Sequence, residues 1–263
     1  MAELSLKILH ADGSTACVNS HENEVALFYD KAYEEGDSIV LTSSEKDIYL
    51  VIQVDDALGS AFVYLKANVF RYVVPFGEKK VCYSPKTFSG ERHLITARIA
   101  TQEEVASYKN LALNVADQHE ESSCYPHASA NVETRGESVF AAKNAIDGVR
   151  ANTSHGEWPY ASWGINMQDD ATIKIDFGRE VVTDKIVLYT RADFPHDNWW
   201  TQVTVVFSDG TEFDWKLQKS YDPHTIVFPK KKITWVGLKN LIKADDPSPF
   251  PALTQMEVYG VEA

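Results

Sequence analysis

The sequence predicts an all-β protein made of two β-sandwich domains joined by one α-helix. Three observations lead there. Short runs that alternate apolar and polar residues recur along both halves of the 263 residues, and Gly, Asp, Asn or Pro separates them. One stretch near the middle changes to helical spacing. The composition, 44% hydrophobic and 24% charged, is that of an ordinary globular chain with ample material for two cores.

In the first half the runs are LSLKIL (4–9), VALFY (25–29), SIVLT (38–42), DIYLVIQV (47–54), AFVYL (61–65), VFRYVV (69–74) and HLITARIA (93–100). Their β-branched and aromatic content suits a pleated, half-buried surface, so residues 1–100 are expected to form an N-terminal β-sandwich. Thr101 then opens a capping box with Glu104, and Val105, Tyr108, Ala112 and Val115 recur at helical spacing. This predicts a helix from Thr101 through Asp117. The polar stretch QHEESS (118–123) follows as a linker, which makes 101–123 the joint between the domains.

The second half, 124–263, returns to period two. ATIKIDF (171–177), DKIVLY (184–189), QVTVVF (202–207), TEFDWKL (211–217), HTIVF (224–228), ITWVGL (233–238) and LTQMEVYGV (253–261) supply the seven or eight strands a jelly roll requires. Asp209-Gly210 between two alternating runs is a strong hairpin signal, because its turn type needs positive φ.

Charge narrows the partners. The net charge is −13, from 11 basic against 17 acidic residues in 1–118 and 14 against 21 in 119–263, so the acidity is spread along the chain. Such a surface repels phosphate backbones and anionic lipids, and no nucleic-acid or membrane partner is expected. No run of about 18 apolar residues is present to span a bilayer, and MAELSLKILHADG lacks the basic start and cleavage site of a signal peptide. Cys17, Cys82 and Cys124 are odd in number and lie outside any CxxC pattern, which argues against a disulfide framework. Cytoplasm is the expected compartment. The motifs GxSxG, GxxxxGKS/T, GxGxxG and HExxH are all missing.

All six tryptophans lie after position 157, and four of them sit in two turn-rich stretches, Thr153–Gly164 and Arg191–Trp200. Tryptophan next to hydrogen-bonding groups suits a ligand that is apolar on one face and polar at its rim, as sugars are. Part of the set is expected simply to fill a sandwich core. In each stretch a Pro stiffens the turn while aromatics alternate with polar residues, a pattern of neither helix nor strand.

The order of Ala142-Lys-Asn-Ala-Ile-Asp147-Gly148, Thr153, Trp163, the 171–178 and 186–191 strands and the closing Glu257-Val-Tyr-Gly260 resembles the galactose-binding-like jelly roll of coagulation factor 5/8 type C (discoidin) domains and related carbohydrate-binding modules. The resemblance covers about residues 124–263; the first half resembles no named family. It implies non-catalytic binding of a carbohydrate by loops at one end of the sandwich. By the same resemblance, Asp147, Asn152, Thr153 and Glu257 would hold a structural calcium ion, whose preference is for such oxygens. The spacing departs from the family's, since Val149–Asn152 separates the Gly from the Thr. The plainer alternative is a turn at Asp147-Gly148 that ends a short helix over SVFAAKNAI, tied down by Asn152 and Thr153.

For the ligand site the expectation is a sugar stacked on Trp158 or Trp199, with Trp200 and Tyr160 beside them. Arg191, Asp193, His155, His196 and Asp197 would meet its hydroxyls, because paired donors and acceptors span vicinal hydroxyls. Against this, Arg191 and Asp193 are a candidate internal ion pair, and His196-Asp197 a candidate turn cap. Two enzyme readings compete: a glycosidase carboxylate pair among Glu157, Asp193 and Asp197, and a His155-His196-Asp197 metal site. A protein-interaction module is a further alternative, with the Pro-rich 245–251 segment docking a partner or, more simply, serving as a stiff crossover. The N-terminal domain would then hold a protein partner or a second copy of the chain.

Overall fold

In the computed structural model, residues 2–119 and 123–263 are described; residues 120–122 of the expected linker lie outside them. The chain is all-β. Strands β1 (Glu3–Leu9), β2 (Thr15–Glu22), β3 (Glu24–Tyr29), β4 (Ser38–Ser43), β5 (Ile48–Gln53), β6 (Ala61–Leu65), β7 (Val69–Val73) and β8 (His93–Ile99) build the first half. They form one sheet ordered β2-β1-β4-β7 and a second containing β6-β5-β8-β3, antiparallel throughout. Alternate residues from both sheets, among them Leu4, Leu6, Leu27, Leu50, Val63, Phe70 and Ile95, close a common core. That is a β-sandwich.

Seven of these strands match the alternating runs of the sequence. The eighth, β2, carries the polar run TACVNSHE and is mostly exposed at a sheet edge, where nothing forces a buried face and no alternation arises.

The expected helix is present but short. Thr101 and Glu104 close the capping box, with Glu104 N–H donating to Thr101 Oγ1 at 3.2 Å and Thr101 N–H to Glu104 Oε2 at 2.8 Å. Helix α1 covers only Gln102–Ala106, and its continuation to Asp117 is corrected by the structure. After α1 the chain enters β9 (Lys109–Asn110). The reason lies in which core each apolar residue serves. Leu111 and Ala112 pack into the C-terminal core, whereas Val115 and Ala116 pack into the N-terminal one. A single helix presents one apolar stripe to one core, so a segment shared between two cores has to unwind.

Strand β10 (Cys124–Tyr125) still belongs to the first half, where it pairs with β6. Beyond it, β11 (His127–Ala130), β12 (Trp163–Gly164), β13 (Ile173–Thr190), β14 (Trp200–Phe207), β15 (Glu212–Lys216), β16 (His224–Lys243) and β17 (Ala252–Glu262) form the jelly roll, in the order β12-β17-β13-β16-β14-β15 with β11 on β13 and β9 on β17. Strands expected as separate pairs, 171–177 with 184–189 and 224–228 with 233–238, are joined into the long β13 and β16. Their pairing shifts register between Asp176 and Val181, an irregularity of the kind that bends a strand. The segment expected as the SVFAAKNAI helix forms two 3-10 turns, Ser138–Phe140 and Ala142–Ile146.

Candidate functional site

The two loops singled out in the sequence meet at one end of the jelly roll. His155 Nδ1 lies 2.6 Å from Asp193 Oδ2, and the His155 and His196 rings stack with centroids 4.0 Å apart and planes 12° from parallel. The 191–200 loop is braced from below. Asp197, wholly buried, accepts from Arg191 Nε at 2.9 Å and Nη2 at 2.6 Å, from the Asp193 amide at 2.8 Å and from His196 Nδ1 at 3.0 Å. The internal ion pair of Arg191 is therefore with Asp197, not with Asp193. A charge pair this deep is tolerated because both Asp197 oxygens gain further hydrogen bonds, from His196 and from the Asp193 amide.

The Pro-rich crossover supplies the next wall. Ser248 Oγ donates to the His196 carbonyl, and Asn198 Nδ2 donates to the carbonyls of Ala244 at 3.1 Å and Ser248 at 2.8 Å. This seats Phe250, 42% exposed, 5.4 Å from the His196 ring and 14° from parallel. His155, His196 and Phe250 thus make a three-ring stack.

A groove of about 260 Å³ opens beside it, lined by Arg191, His155, His196, Phe250, Ile165 and Met167 among others. That sits just under the range of about 300–1,000 Å³ for small-molecule sites, and suits one ring-sized group. Arg191 contributes a further feature. Its Nε and Nη2 are committed to Asp197 and, at 3.5 Å, to the Phe250 carbonyl, while Nη1 makes no hydrogen bond among the described residues. A larger cleft of about 710 Å³ lies between the halves, but its lining mixes Arg71, Glu78, Lys79, Glu133, Glu137 and Lys143 with the rings of Tyr83 and His119.

The tryptophans behave differently from the expectation. Trp200 is fully buried in the jelly-roll core beside Trp163, with ring centroids 6.4 Å apart, and cannot stack a ligand. Its place in the chain explains this: it opens β14, where an inward-facing position takes the largest apolar side chain. Trp199, one residue earlier, points the other way and is half-buried against Phe194 and Lys219. Trp158 is 40% exposed, but its amide donates to the Val81 carbonyl of the first half. None of Trp158, Tyr160 and Trp199 lines the groove. Phe250, expected only as part of a partner-docking loop or stiff crossover, and Met167, which carried no expectation, offer apolar faces there. The rigid Pro249-Phe250-Pro251 triplet was the available signal.

The residues expected to hold calcium do not fit that ion. Glu257 is buried with Oε1 taken by Arg150, at 2.5 Å from Nη2, and Oε2 by the Tyr259 hydroxyl at 3.0 Å, so a guanidinium already neutralises it. Asp147 Oδ1 accepts from Gln255 Nε2 at 2.7 Å and the Val149 amide at 2.8 Å. Burial pushes the Asp147 carboxyl up to about 7, and the Val149 amide, Lys143 and Gln255 offset only part of that. Asn152 turns its amide group to the Thr190 and Tyr221 carbonyls, and Thr153 is exposed. The alternative holds in part: Gly148, at φ 84°, ends the turn after Ala142–Ile146, but the turn is tied down by Gln255, which accepts from the Gly148 amide at 3.0 Å, and not by Asn152 and Thr153.

Residues 122–244 match a family model described as a domain of unknown function, DUF7402. No curated protein matches the chain. Among solved structures the chain is similar to a chitosan-binding module of a chitosanase/glucanase from Paenibacillus sp. IK-5, at 20% identity, 59% of this chain, 100% of that one and a TM-score of 0.41. It is similar also to the lectin-binding domain of lectinolysin complexed with Lewis b, at 19% identity over 60% of this chain and 99% of that one, with a TM-score of 0.43. A third is the family 32 carbohydrate-binding module of NanJ from C. perfringens in complex with galactose, at 18% identity, 50% and 91% coverage and a TM-score of 0.37.

Proposed function

We propose that the jelly roll binds a carbohydrate without transforming it, in the groove walled by the 153–164, 191–200 and 245–251 loops. The observation that carries this reading is Arg191, a buried guanidinium locked by Asp197, with Nη1 unengaged among the described residues, on the lining of a groove that Phe250 lines as well. A fixed cationic donor and a flat apolar face in one groove suit a sugar's hydroxyl edge and C–H face. His155 and His196 supply further ring nitrogens at the rim. Because Asp197 is already committed to Arg191 and Asp193 to His155, the carboxylate pair that glycoside hydrolysis requires has little support.

The test is a glycan array followed by titration of the best hit, observed by amide NMR in the presence of a chelator. Saturable shifts of 153–167, 191–198 and 248–252 are expected, lost in Phe250→Ala and His196→Ala with thermal stability kept. No response to any glycan, or an unchanged affinity in both variants, would remove the proposal.

A further inference from the structure

We infer that His155, Asp193 and His196 form a transition-metal site at the rim of the groove, with a zinc-like divalent ion as occupant. The inference goes beyond sugar binding and does not depend on it. One ligand atom from each of the three residues lies within 4.8 Å of the other two, and among the described residues no other trio of His, Cys, Asp or Glu meets that condition. A tetrahedral ion with bonds of about 2.0–2.2 Å needs its ligand atoms roughly 3.3 Å apart. The two stacked imidazoles have to tilt apart to aim a nitrogen each at one ion, and the three partly exposed side chains have open space on one side in which to do so.

The surroundings favour the same reading. Asp197 is a carboxylate that can only accept, so the His196 Nδ1 facing it carries the proton, and the neutral ring keeps its lone pair on Nε2. That is the carboxylate–histidine support found behind metal-binding imidazoles, which fixes tautomer and ring orientation together. Here the support is itself locked, because Arg191 holds Asp197. The Asp193 amide also donates to Asp197, which anchors the third ligand's backbone.

Donor chemistry selects the ion. Two imidazoles and one carboxylate suit zinc, copper or nickel, whereas calcium and magnesium prefer an all-oxygen set. The third ligand is Asp193, and Asp197, which the sequence suggested for that place, stands one layer behind it. Three protein ligands leave a fourth position for water or an incoming oxygen atom.

The experiment uses the whole chain, stripped with a chelator and dialysed, then titrated with zinc chloride alone in a calorimeter. Cobalt(II) replaces zinc in a parallel absorption titration. One-to-one binding is expected, with the visible bands of a low-coordinate cobalt site. Asp193→Asn, which keeps size and shape, and His196→Ala are each expected to weaken binding at least tenfold, with near-UV circular dichroism showing an intact fold. Absence of saturable one-to-one binding, or binding that survives in a His155→Ala/His196→Ala double variant, overturns the inference. Since glycan binding is measured in chelator and zinc binding without glycan, either proposal can fail while the other stands.

Discussion

Asp197 holds the candidate site together at the scale of a single side chain, because four donors from three residues converge on its two oxygens. Asp197→Ala would leave the Arg191 guanidinium buried without a counter-charge, and removing one partner of a buried pair costs about 3–5 kcal/mol. The expected result is a lower urea midpoint, with the extrapolated unfolding free energy reduced by that amount, together with loss of glycan binding. Asp193 is half-buried and its side chain meets, among the described residues, only the His155 ring, so Asp193→Asn should leave the midpoint nearly unchanged. Asp147 gives a second test, with a definite sign. Its carboxyl titrates near 7 in the fold against about 3.9 in an unfolded chain. The fold therefore favours the protonated form: that stabilisation is complete below about pH 4 and is lost as the pH rises through 7. Asp147→Asn keeps the oxygen that accepts from Val149 and Gln255 but does not ionise. Its stability relative to the parent chain should rise between pH 4 and pH 8 by roughly 1–3 kcal/mol, discounted for partial exposure. A difference flat across that range in urea titrations would contradict the assignment.

At the scale of the element, Gly260 in β17 shows how tightly the jelly roll is drawn around its bent strands. A Cβ at that position would lie 2.1 Å from the Val182 carbonyl oxygen and 2.9 Å from the Thr183 Cα. Both are backbone atoms of β13 that no rotamer change can move aside. Gly260→Ala should therefore destabilise by at least about 1–3 kcal/mol, read as a lowered thermal midpoint, with β17 amides exchanging faster. The strands themselves were legible, since each inward-facing position leaves its mark every second residue, as in AFVYL, where Ala61, Val63 and Leu65 are buried. Three features were not. The helix expected to reach Asp117 stops at Ala106, because local spacing carries no record of which of two cores Leu111 and Val115 enter. Long bent strands look like pairs of short ones, since the residues at the bend lose alternation. The site was half legible: composition picked out the two loops and the polar residues that converge, but adjacent Trp199 and Trp200 look equivalent in sequence, whereas only Trp200 opens β14 and enters the core and Trp199 stays in the loop against Phe194.

For the whole molecule the question is whether the two halves unfold separately, and the packing between them argues that they do not. Glu262, in the last strand, accepts from Arg179 Nε at 2.8 Å and Nη2 at 2.6 Å, and from the Tyr49 hydroxyl of the first half at 3.1 Å; Lys109 Nζ lies 3.6 Å away. Arg179 stacks its guanidinium 5.4 Å from the rings of both Tyr49 and Tyr64. Both partners of that ion pair are almost fully buried, so the first half supplies the cover that keeps it dry. A second bridge is apolar, where Cys82 and Tyr83 pack on Val139, Phe140 and Ala161. Strand β10 adds a third, since the chain pairs with the first sandwich before it enters the second. Calorimetry of the intact chain should accordingly show one transition, with calorimetric and van't Hoff enthalpies in a ratio near about 1. Glu262→Ala strips Arg179 and Lys109 of their counter-charge and Tyr49 of its acceptor at once. Its cost should reach about 3–5 kcal/mol, and the single transition should broaden or split as the halves lose their tie. Two resolved transitions in the unmodified chain would show instead that the interface merely lies between two independent folds, because a contact that couples them has to melt with both.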